Sequence, residues 1–340
     1  MRAAQFERAG SPLRLVTVPT PEPGPGEALV AVRSVGLCGS DLHITQGHTP
    51  TAYAPITVGH EIAGVVAALG PGVTGPLVGE HVFVNPMIGC GRCLRCGDDD
   101  PASCADRRTL GIHLPGGLAD YLVAPAGNLT VVPDRLSFGE VALVESAGTA
   151  NRAVRLLDVG EADVVLVIGV GGLGLQAVRL ARGRGATVIT ADLDPVARRR
   201  SVEAGAAVSF DSAETDLEAK ITAEAGRIGV TRVVDCVGAP STVELAFQVL
   251  APAGHVALIG IGDTPVTIAS PAMFVRRGQR LSAVYGYSNT DIADVIDRLV
   301  EGSLDLAASI SETYPLQCVN EAIAIFANRT NSPTRVVITL

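Results

Sequence analysis

Two patterns of hydrophobic and polar positions divide the chain. Up to about residue 150, short apolar runs alternate with stretches rich in proline and glycine, such as 19–26 and 70–72, which is typical of an irregular β domain. From about residue 153, longer apolar strands alternate with helical stretches. The predicted strands lie near Val164–Ile168, Thr187–Ala191, Arg232–Cys236 and His255–Ile259, and the predicted helices near 173–184, 195–204, 216–226 and 241–250. This alternation predicts βαβ units and a parallel sheet.

Composition narrows the classes of function. A length of 340 residues favours two domains. The net charge is −9, and no basic block is longer than Arg198-Arg199-Arg200, so nucleic acid is not an expected partner. The N-terminus becomes charged where a secretory signal would be apolar, and glycines interrupt the richest apolar run, 164–175. We therefore expect a cytoplasmic protein that does not interact with membranes.

A glycine-rich turn follows the first of the parallel strands. Its sequence is Gly169-Val170-Gly171-Gly172-Leu173-Gly174, and an apolar helical stretch comes directly after it. Strand, turn and helix in this order form a dinucleotide site, because the glycines let the backbone approach a pyrophosphate and the helix N-terminus supplies amide donors. A glycine-rich turn without a ligand is the alternative.

The end of the next predicted strand indicates which dinucleotide binds. Asp192 stands eighteen residues after Gly174, where a carboxylate accepts hydrogen bonds from the adenosine ribose and repels a 2′-phosphate. Asp194-Pro195 is typical of a helix N-terminus instead. NAD is the expected cofactor. The block Arg198–Arg200 leaves two possibilities open, either contact with a 2′-phosphate or a solvated helix face.

Four cysteines within fifteen residues indicate a metal site. Cys90, Cys93, Cys96 and Cys104 have the spacing C-x2-C-x2-C-x7-C. Four thiolates this close can surround one tetrahedral zinc with no open position, which gives a structural site. A redox cluster or an iron–sulfur centre is the alternative.

A second, dispersed set of metal-binding residue types comprises Cys38, His60 and Glu145. Taken one at a time, a cysteine such as Cys38 is more often a buried apolar residue than a metal ligand, a histidine such as His60 is more often a core residue, and a glutamate such as Glu145 is more often a surface charge. Glu145, however, stands within the apolar stretch 141–148, where an unpaired charge is costly and a metal ligand is not. One cysteine, one histidine and one glutamate leave a fourth zinc position open for water or substrate.

In order along its whole length, the chain resembles zinc-dependent medium-chain alcohol dehydrogenases. The matching segments are Cys38–His43, Gly59–Gly64, Val78–Val82, the four-cysteine lobe, Gly116–Tyr121 and Gly169–Gly174. The resemblance implies an α/β fold with two domains. A GroES-like β catalytic domain would comprise residues 1–152 and 287–340, with the zinc lobe at about 88–106, and a Rossmann domain with a doubly wound parallel sheet would comprise 153–286. The active site would lie in the cleft between them.

The resemblance also assigns roles to individual residues. Cys38, His60 and Glu145 would bind the catalytic zinc, Glu61 would be an occasional ligand, and Asp41 would orient His60. Ser40 would take the proton of the zinc-bound alcohol, and His43 would pass it outward. Arg335 would reach the pyrophosphate from the C-terminal strand.

The implied function is reversible, NAD-linked oxidation of a small alcohol or polyol by a homodimer or homotetramer with two zinc ions per subunit. One alternative is a reductase of a C=C or C=N bond, against which the intact Ser40 and His43 argue. A non-catalytic sensor that binds NAD and zinc is another. The segment 97–101 after the third lobe cysteine is more acidic than is usual in the family.

Overall fold

The computed structural model describes residues 1–267, 270–328 and 332–340. It divides into two compact units, of which unit 1 comprises Met1–Glu145 and Ser288–Leu340, and unit 2 comprises Ser146–Tyr287. The strands are β1 (Arg2–Phe6), β2 (Arg14–Thr17), β3 (Glu27–Leu37), β4 (Ile56–Thr57), β5 (Glu61–Leu69), β6 (His81–Val84), β7 (Met87–Ile88), β8 (Arg108–Thr109), β9 (Tyr121–Pro125), β10 (Leu129–Val131), β11 (Val164–Ile168), β12 (Thr187–Asp192), β13 (Val208–Asp211), β14 (Val230–Asp235), β15 (Leu250–Leu258), β16 (Arg280–Ala283), β17 (Ile310–Pro315) and β18 (Arg335–Thr339). The helices are α1 (Gly39–Gln46), α2 (Leu94–Gly97), α3 (Phe138–Ala142), α4 (Val144–Leu156), α5 (Gly172–Arg182), α6 (Pro195–Glu203), α7 (Leu217–Ala225), α8 (Pro240–Val249), α9 (Pro271–Arg277), α10 (Asn289–Glu301) and α11 (Val319–Ala327).

Unit 1 is built on a mainly antiparallel sheet in the order β10-β6-β5-β3-β18-β17, with β9 also paired to β3. The central strand β3 is long, and its register with β5 shifts twice, which bends the sheet around an apolar core. The C-terminal strand β18 pairs antiparallel with β3, with Val336 opposite Leu37. Residues from both ends of the chain therefore form one core.

Unit 2 contains a six-stranded, fully parallel sheet in the order β13-β12-β11-β14-β15-β16. All five residues of β11 are buried, as expected of a parallel strand covered by helices on both faces. Strands β12 and β13, which follow β11 in the chain, lie on one side of it, and β14, β15 and β16 lie on the other side. The direction of the strand order therefore reverses beside β11. Ligands bind at the carboxyl ends of strands at such a point. The predicted α/β fold with a doubly wound parallel sheet is confirmed.

The sequence pattern does not predict four elements of unit 2, which are β13, β16, α9 and helix α4, most of which lies in this unit. Strand β13 is half-buried throughout, no residue of β16 is buried, and most residues of α9 are exposed, so none of these three elements has a strong hydrophobic pattern. None of the helices in the described part of the chain combines the length and the apolar character that crossing a membrane requires.

Candidate metal and dinucleotide sites

The glycine-rich turn lies between the end of β11 and the start of α5. Gly171 caps the helix, which begins at Gly172. A Cβ atom at Gly174 would overlap the carbonyl oxygen of Gly169, so only glycine lets the helix approach the strand this closely. The amides at the start of α5 remain available to an anion, which is the arrangement that a pyrophosphate requires.

Asp192 lies at the carboxyl end of β12 and is tied to the glycine-rich turn. Its Oδ2 accepts the backbone N–H of Val170 at 2.7 Å, and its Oδ1 accepts that of Asp194 at 2.8 Å. Asp194 itself caps α6 through Val196, as the sequence predicts. Each oxygen of Asp192 keeps a second lone pair, so the carboxylate can still accept hydrogen bonds from ribose hydroxyls.

The three arginines of α6 do not share one environment. The Arg198 side chain is only 20% exposed and lies 3.0 Å from Asp211, while its Nη1 donates to the carbonyl oxygens of Asp192 and Leu193 at 2.9 Å. Arg199 is 66% exposed and pairs loosely with Glu203 at 3.9 Å. A single solvated face therefore does not describe this block, because Arg198 is held at the edge of the sheet.

The four lobe cysteines converge. The sulfur atoms of Cys90, Cys93, Cys96 and Cys104 all lie within 4.8 Å of one another, and Cys104 is buried. A backbone hydrogen bond from Arg92 lowers the pKa of Cys90 to about 6. The backbone of Gly91 acts in the same direction on Cys96, but burial and the neighbouring thiols outweigh it and raise the pKa of Cys96 to about 11.

Four sulfur donors with no carboxylate or histidine fit zinc, which binds thiolates in a closed tetrahedral site. The neighbouring thiols cannot all ionise by themselves, because each thiolate raises the pKa of the next. A divalent cation would balance their charges and displace the remaining protons. This donor set supports a structural role rather than a catalytic one.

A second convergence of donor atoms lies in the core of unit 1. Ligand atoms of Cys38, His60 and Glu61 lie within 4.8 Å of one another, and His60 and Glu61 are buried. Cys38 directly precedes α1, His60 directly precedes β5, and Glu61 is the first residue of β5, the neighbour of the central strand. The sheet register brings these distant positions together, with Glu61 opposite Gly36.

Several buried polar atoms at this site have no hydrogen-bond partner among the described residues. They are Asp41 Oδ1, His60 Nδ1 and Glu61 Oε1. His60 Nδ1 lies 3.5 Å from Asp41 Oδ1, and His60 Nε2 lies 3.0 Å from the Ser40 hydroxyl. Burial lowers the pKa of His60, but Asp41 and Cys38 outweigh it and raise the pKa well above its usual value. The site therefore favours a positive charge, and its sulfur, nitrogen and carboxylate donors fit zinc.

Glu145 is buried near the start of α4 but does not belong to this group of three. Its charge acts on Arg335, which also interacts with Glu61 and Cys38, so the carboxylate lies in the same electrostatic neighbourhood. The role of Glu145 as a zinc ligand stays a prediction. Asp41 accepts the backbone N–H of Cys38 at 2.9 Å, which fixes the start of α1.

Ser40 and His43 lie three residues apart on α1, a spacing that places both on one face of a helix. Both side chains are half-buried. The His43 ring makes an edge contact with the exposed His48 at a centroid distance of 5.9 Å. His43 thus shares a helix face with Ser40 and contacts a histidine that is exposed to solvent.

The Arg335 side chain forms a buried ion pair with Glu61, which the sequence analysis did not foresee. Only 4% of the Arg335 side chain and none of that of Glu61 is exposed. A Cβ atom at Gly36 would overlap the Glu61 carboxylate, so this glycine makes room for the pair. The sequence gives no local signal, because the partners are 274 residues apart. Contact of Arg335 with a pyrophosphate stays a prediction.

Comparison with known proteins bears on both sites. Residues 24–134 match the family model of the alcohol dehydrogenase GroES-like domain, and residues 172–301 match that of the zinc-binding dehydrogenases. The starvation-sensing protein RspB of Escherichia coli K12 is 32% identical over 96% of both chains. A sorbitol dehydrogenase of Halalkalibacterium halodurans is 32% identical over 73% of both chains.

Solved structures resemble the whole chain. The alcohol dehydrogenase RspB of E. coli CFT073, in complex with NADH, has a TM-score of 0.94 and 30% identity, and the match covers 100% of this chain and 99% of that one. A putative zinc-binding dehydrogenase of Sinorhizobium meliloti 1021, bound to NADP, has a TM-score of 0.92 and 29% identity over the same shares. Both types of nicotinamide dinucleotide thus occur among similar structures.

Proposed function

The chain belongs to the zinc-type medium-chain alcohol dehydrogenase family, and from this premise we propose that it catalyses the reversible, NAD-linked oxidation of a primary or secondary alcohol or polyol. The observation that carries the proposal is the convergence of Cys38 with the buried His60 and Glu61 around polar atoms that lack a partner among the described residues. Arg335 pairs with one oxygen of Glu61. However, Glu61 Oε1, His60 Nδ1 and Asp41 Oδ1 keep no hydrogen-bond partner among the described residues, and burying such atoms is costly unless a bound ion completes the set.

Cys38 and His60 would bind the catalytic zinc, with Glu145 as the third ligand and Glu61 as an alternative one. A zinc ion held by these residues would supply Lewis-acid chemistry that makes an alcohol hydroxyl more acidic, and NAD would accept the hydride. Asp41 accepts a hydrogen bond at the start of α1 and lies 3.5 Å from His60 Nδ1, so it would orient the imidazole.

Ser40 and His43 would move the proton. The Ser40 hydroxyl already lies 3.0 Å from His60, at the metal end of α1. A serine hydroxyl is too weak a base to hold an additional proton, so Ser40 would act as a relay that gives up its own proton as it takes that of the alcohol, and His43, one turn further along the helix, would accept it. The exposed His48 beside His43 marks the solvent end of this path.

The position of Asp192 at the end of β12 supports NAD rather than NADP as the proposed cofactor. A carboxylate here binds the ribose hydroxyls and repels a 2′-phosphate. We further propose two zinc ions per subunit, since the two groups of donor atoms are separate and of different types.

The experiment combines metal analysis with a screen of simple alcohols, polyols and amino alcohols with NAD at alkaline pH. The wild-type protein should contain two zinc ions per subunit and oxidise at least one compound. Cys38→Ala should contain one zinc ion and lose turnover, because the open site loses a ligand. Cys318→Ala is the matched control, since Cys318 belongs to neither group of ligands, and it should retain both properties.

Two outcomes contradict the proposal. One is a protein that contains two zinc ions and oxidises nothing in the screen, which would favour a non-catalytic role or the reduction of a C=C or C=N bond. The other is a Cys38→Ala variant that keeps both its zinc and its activity, which would show that the group of three is not the catalytic centre.

A further inference from the structure

We propose that Asp211 is a second residue that determines cofactor specificity, because it holds Arg198 in place and thereby withholds the guanidinium from a 2′-phosphate. This inference rests on the proposed binding of NAD at Asp192. The inference goes beyond that proposal because it assigns the discrimination between NAD and NADP to two carboxylates and an arginine rather than to Asp192 alone.

The geometry at the carboxyl end of the sheet carries the inference. Asp192 and Asp211 are register partners on the adjacent parallel strands β12 and β13. Neighbouring strands lie about 4.8 Å apart, so two negative charges stand side by side where the adenosine ribose would bind. A phosphate on that ribose would be repelled by Asp192, because the energy of repulsion between like charges falls only with the first power of distance.

Arg198 lies between these two strand ends. Its guanidinium is 3.0 Å from Asp211 Oδ2, and Nη1 donates to the main-chain carbonyls of Asp192 and Leu193 at 2.9 Å. An arginine at this place would be the natural partner of a 2′-phosphate, since guanidinium groups bind phosphate through paired hydrogen bonds. In this protein the carboxylate of Asp211 already neutralises the positive charge of Arg198.

Asp211 is itself fixed by the local backbone. Its Oδ1 accepts the N–H of Ala213 at 2.9 Å, so only Oδ2 is directed at Arg198. The N–H of Ser212 donates to the carbonyl oxygen of Asp192 at 3.1 Å, which links the two strand ends. The Asp211 carboxylate is therefore positioned before any cofactor arrives, and it can act as a counter-ion without reorganisation.

The test measures binding rather than turnover, by the fluorescence of NADH and NADPH on the full-length, zinc-loaded protein. Asp192→Asn removes a charge but keeps an acceptor for a backbone N–H that an alanine would leave unpaired. NADPH should bind about threefold to tenfold more tightly to this variant than to the wild type, because one repulsive charge is gone.

Adding Asp211→Asn should tighten NADPH by about a further tenfold, the effect of one charge-assisted hydrogen bond. The amide keeps the acceptor for Ala213 but no longer neutralises Arg198, which the carbonyls of Asp192 and Leu193 still hold beside the ribose position. Adding Glu203→Gln to Asp192→Asn instead is the matched control. It also removes one carboxylate that pairs with an arginine of α6, but this pair is exposed and loose, so NADPH binding should stay within about twofold.

A triple variant identifies the group responsible. If Arg198 provides the gain, Arg198→Ala in the background of both aspartate substitutions should cancel it. The proposal is overturned if Asp211→Asn raises the affinity for NADPH no more than Glu203→Gln does, or if this gain in affinity survives the loss of Arg198. It is also overturned if the wild type already binds NADPH more tightly than NADH. A failed alcohol screen with this binding pattern intact would count against the proposed reaction alone.

Discussion

The Glu61 carboxylate has two possible partners, since it lies against the Cys38 and His60 donor atoms and also pairs with Arg335. Both members of the pair are buried, and the charge of one offsets the cost of burying the other. The pair joins β5 to the C-terminal strand β18, which are not neighbours in the sheet order. One arginine therefore contributes to the stability of unit 1 and to the charge of the metal site.

Replacing Arg335 by methionine should lower the free energy of unfolding by about 3–5 kcal/mol, because it leaves the buried Glu61 carboxylate without its counter-ion. Denaturant unfolding, followed by circular dichroism at fixed zinc content, measures the loss. The double variant Glu61→Gln/Arg335→Met should recover part of it. Arg2→Met, which breaks the more exposed pair with Asp120, is the control and should cost at most about 1 kcal/mol. Equal losses in the two single variants would contradict this account.

The four-cysteine lobe is attached to helix α10 through Asp99. Asn289, the first residue of α10, donates its backbone N–H to the Asp99 carbonyl at 3.1 Å and its side-chain amide to Asp99 Oδ1 at 2.6 Å. Asp99 has a φ of 62°, a left-handed conformation that aspartate tolerates better than most residues. The acidic segment that follows the third lobe cysteine thus has a structural use.

We expect Asp99→Ala to loosen the lobe and to speed the loss of its zinc to a chelator, with a decrease in stability of about 1 kcal/mol because the hydrogen bonds are exposed. A colorimetric chelator monitors the release. Asp98→Ala is the control, since Asp98 is exposed and its contact with Arg95 spans 3.9 Å. If the two variants release zinc at the same rate, Asp99 does not secure the lobe.

At the scale of the whole molecule, the two units differ in how the chain builds them. Unit 2 is one continuous segment, whereas unit 1 combines the first 145 residues with the last 53, from Ser288 to Leu340. Unit 2 also has its own hydrophobic core around the parallel sheet. A continuous segment with its own core can in principle fold alone.

The segment 144–287, which keeps helix α4 whole, should therefore fold by itself and bind NADH. Circular dichroism and a rise in melting temperature with NADH are the measurements, because a ligand that binds only the folded state stabilises it by about 2.7 kcal/mol at one hundred times its Kd. Asp192→Asn in the same segment is the control and should weaken this stabilisation. A segment that folds but ignores NADH would contradict the assignment of the glycine-rich turn.

How much the sequence predicts depends on whether a feature is local. The strand, the glycine-rich turn and the following helix are adjacent in the chain, so the sequence predicts their order. The alternation of apolar strands and helical stretches likewise predicts the parallel sheet, which the structure confirms. The lobe cysteines are also close in sequence, and their sulfur atoms do converge. The half-buried edge elements β13 and β16 were missed, because their hydrophobic pattern is weak.

The sequence by itself thus determined the family, the class of fold and the types of donor available for metal and dinucleotide, since these depend on residue types at short spacings. Only the tertiary structure decided which charges meet. It paired Glu61 with Arg335 across 274 positions and set Arg198 against Asp211 through the register of two strands. Side-chain pairs of this kind depend on which strands are neighbours, and no pattern within a single strand or helix encodes that.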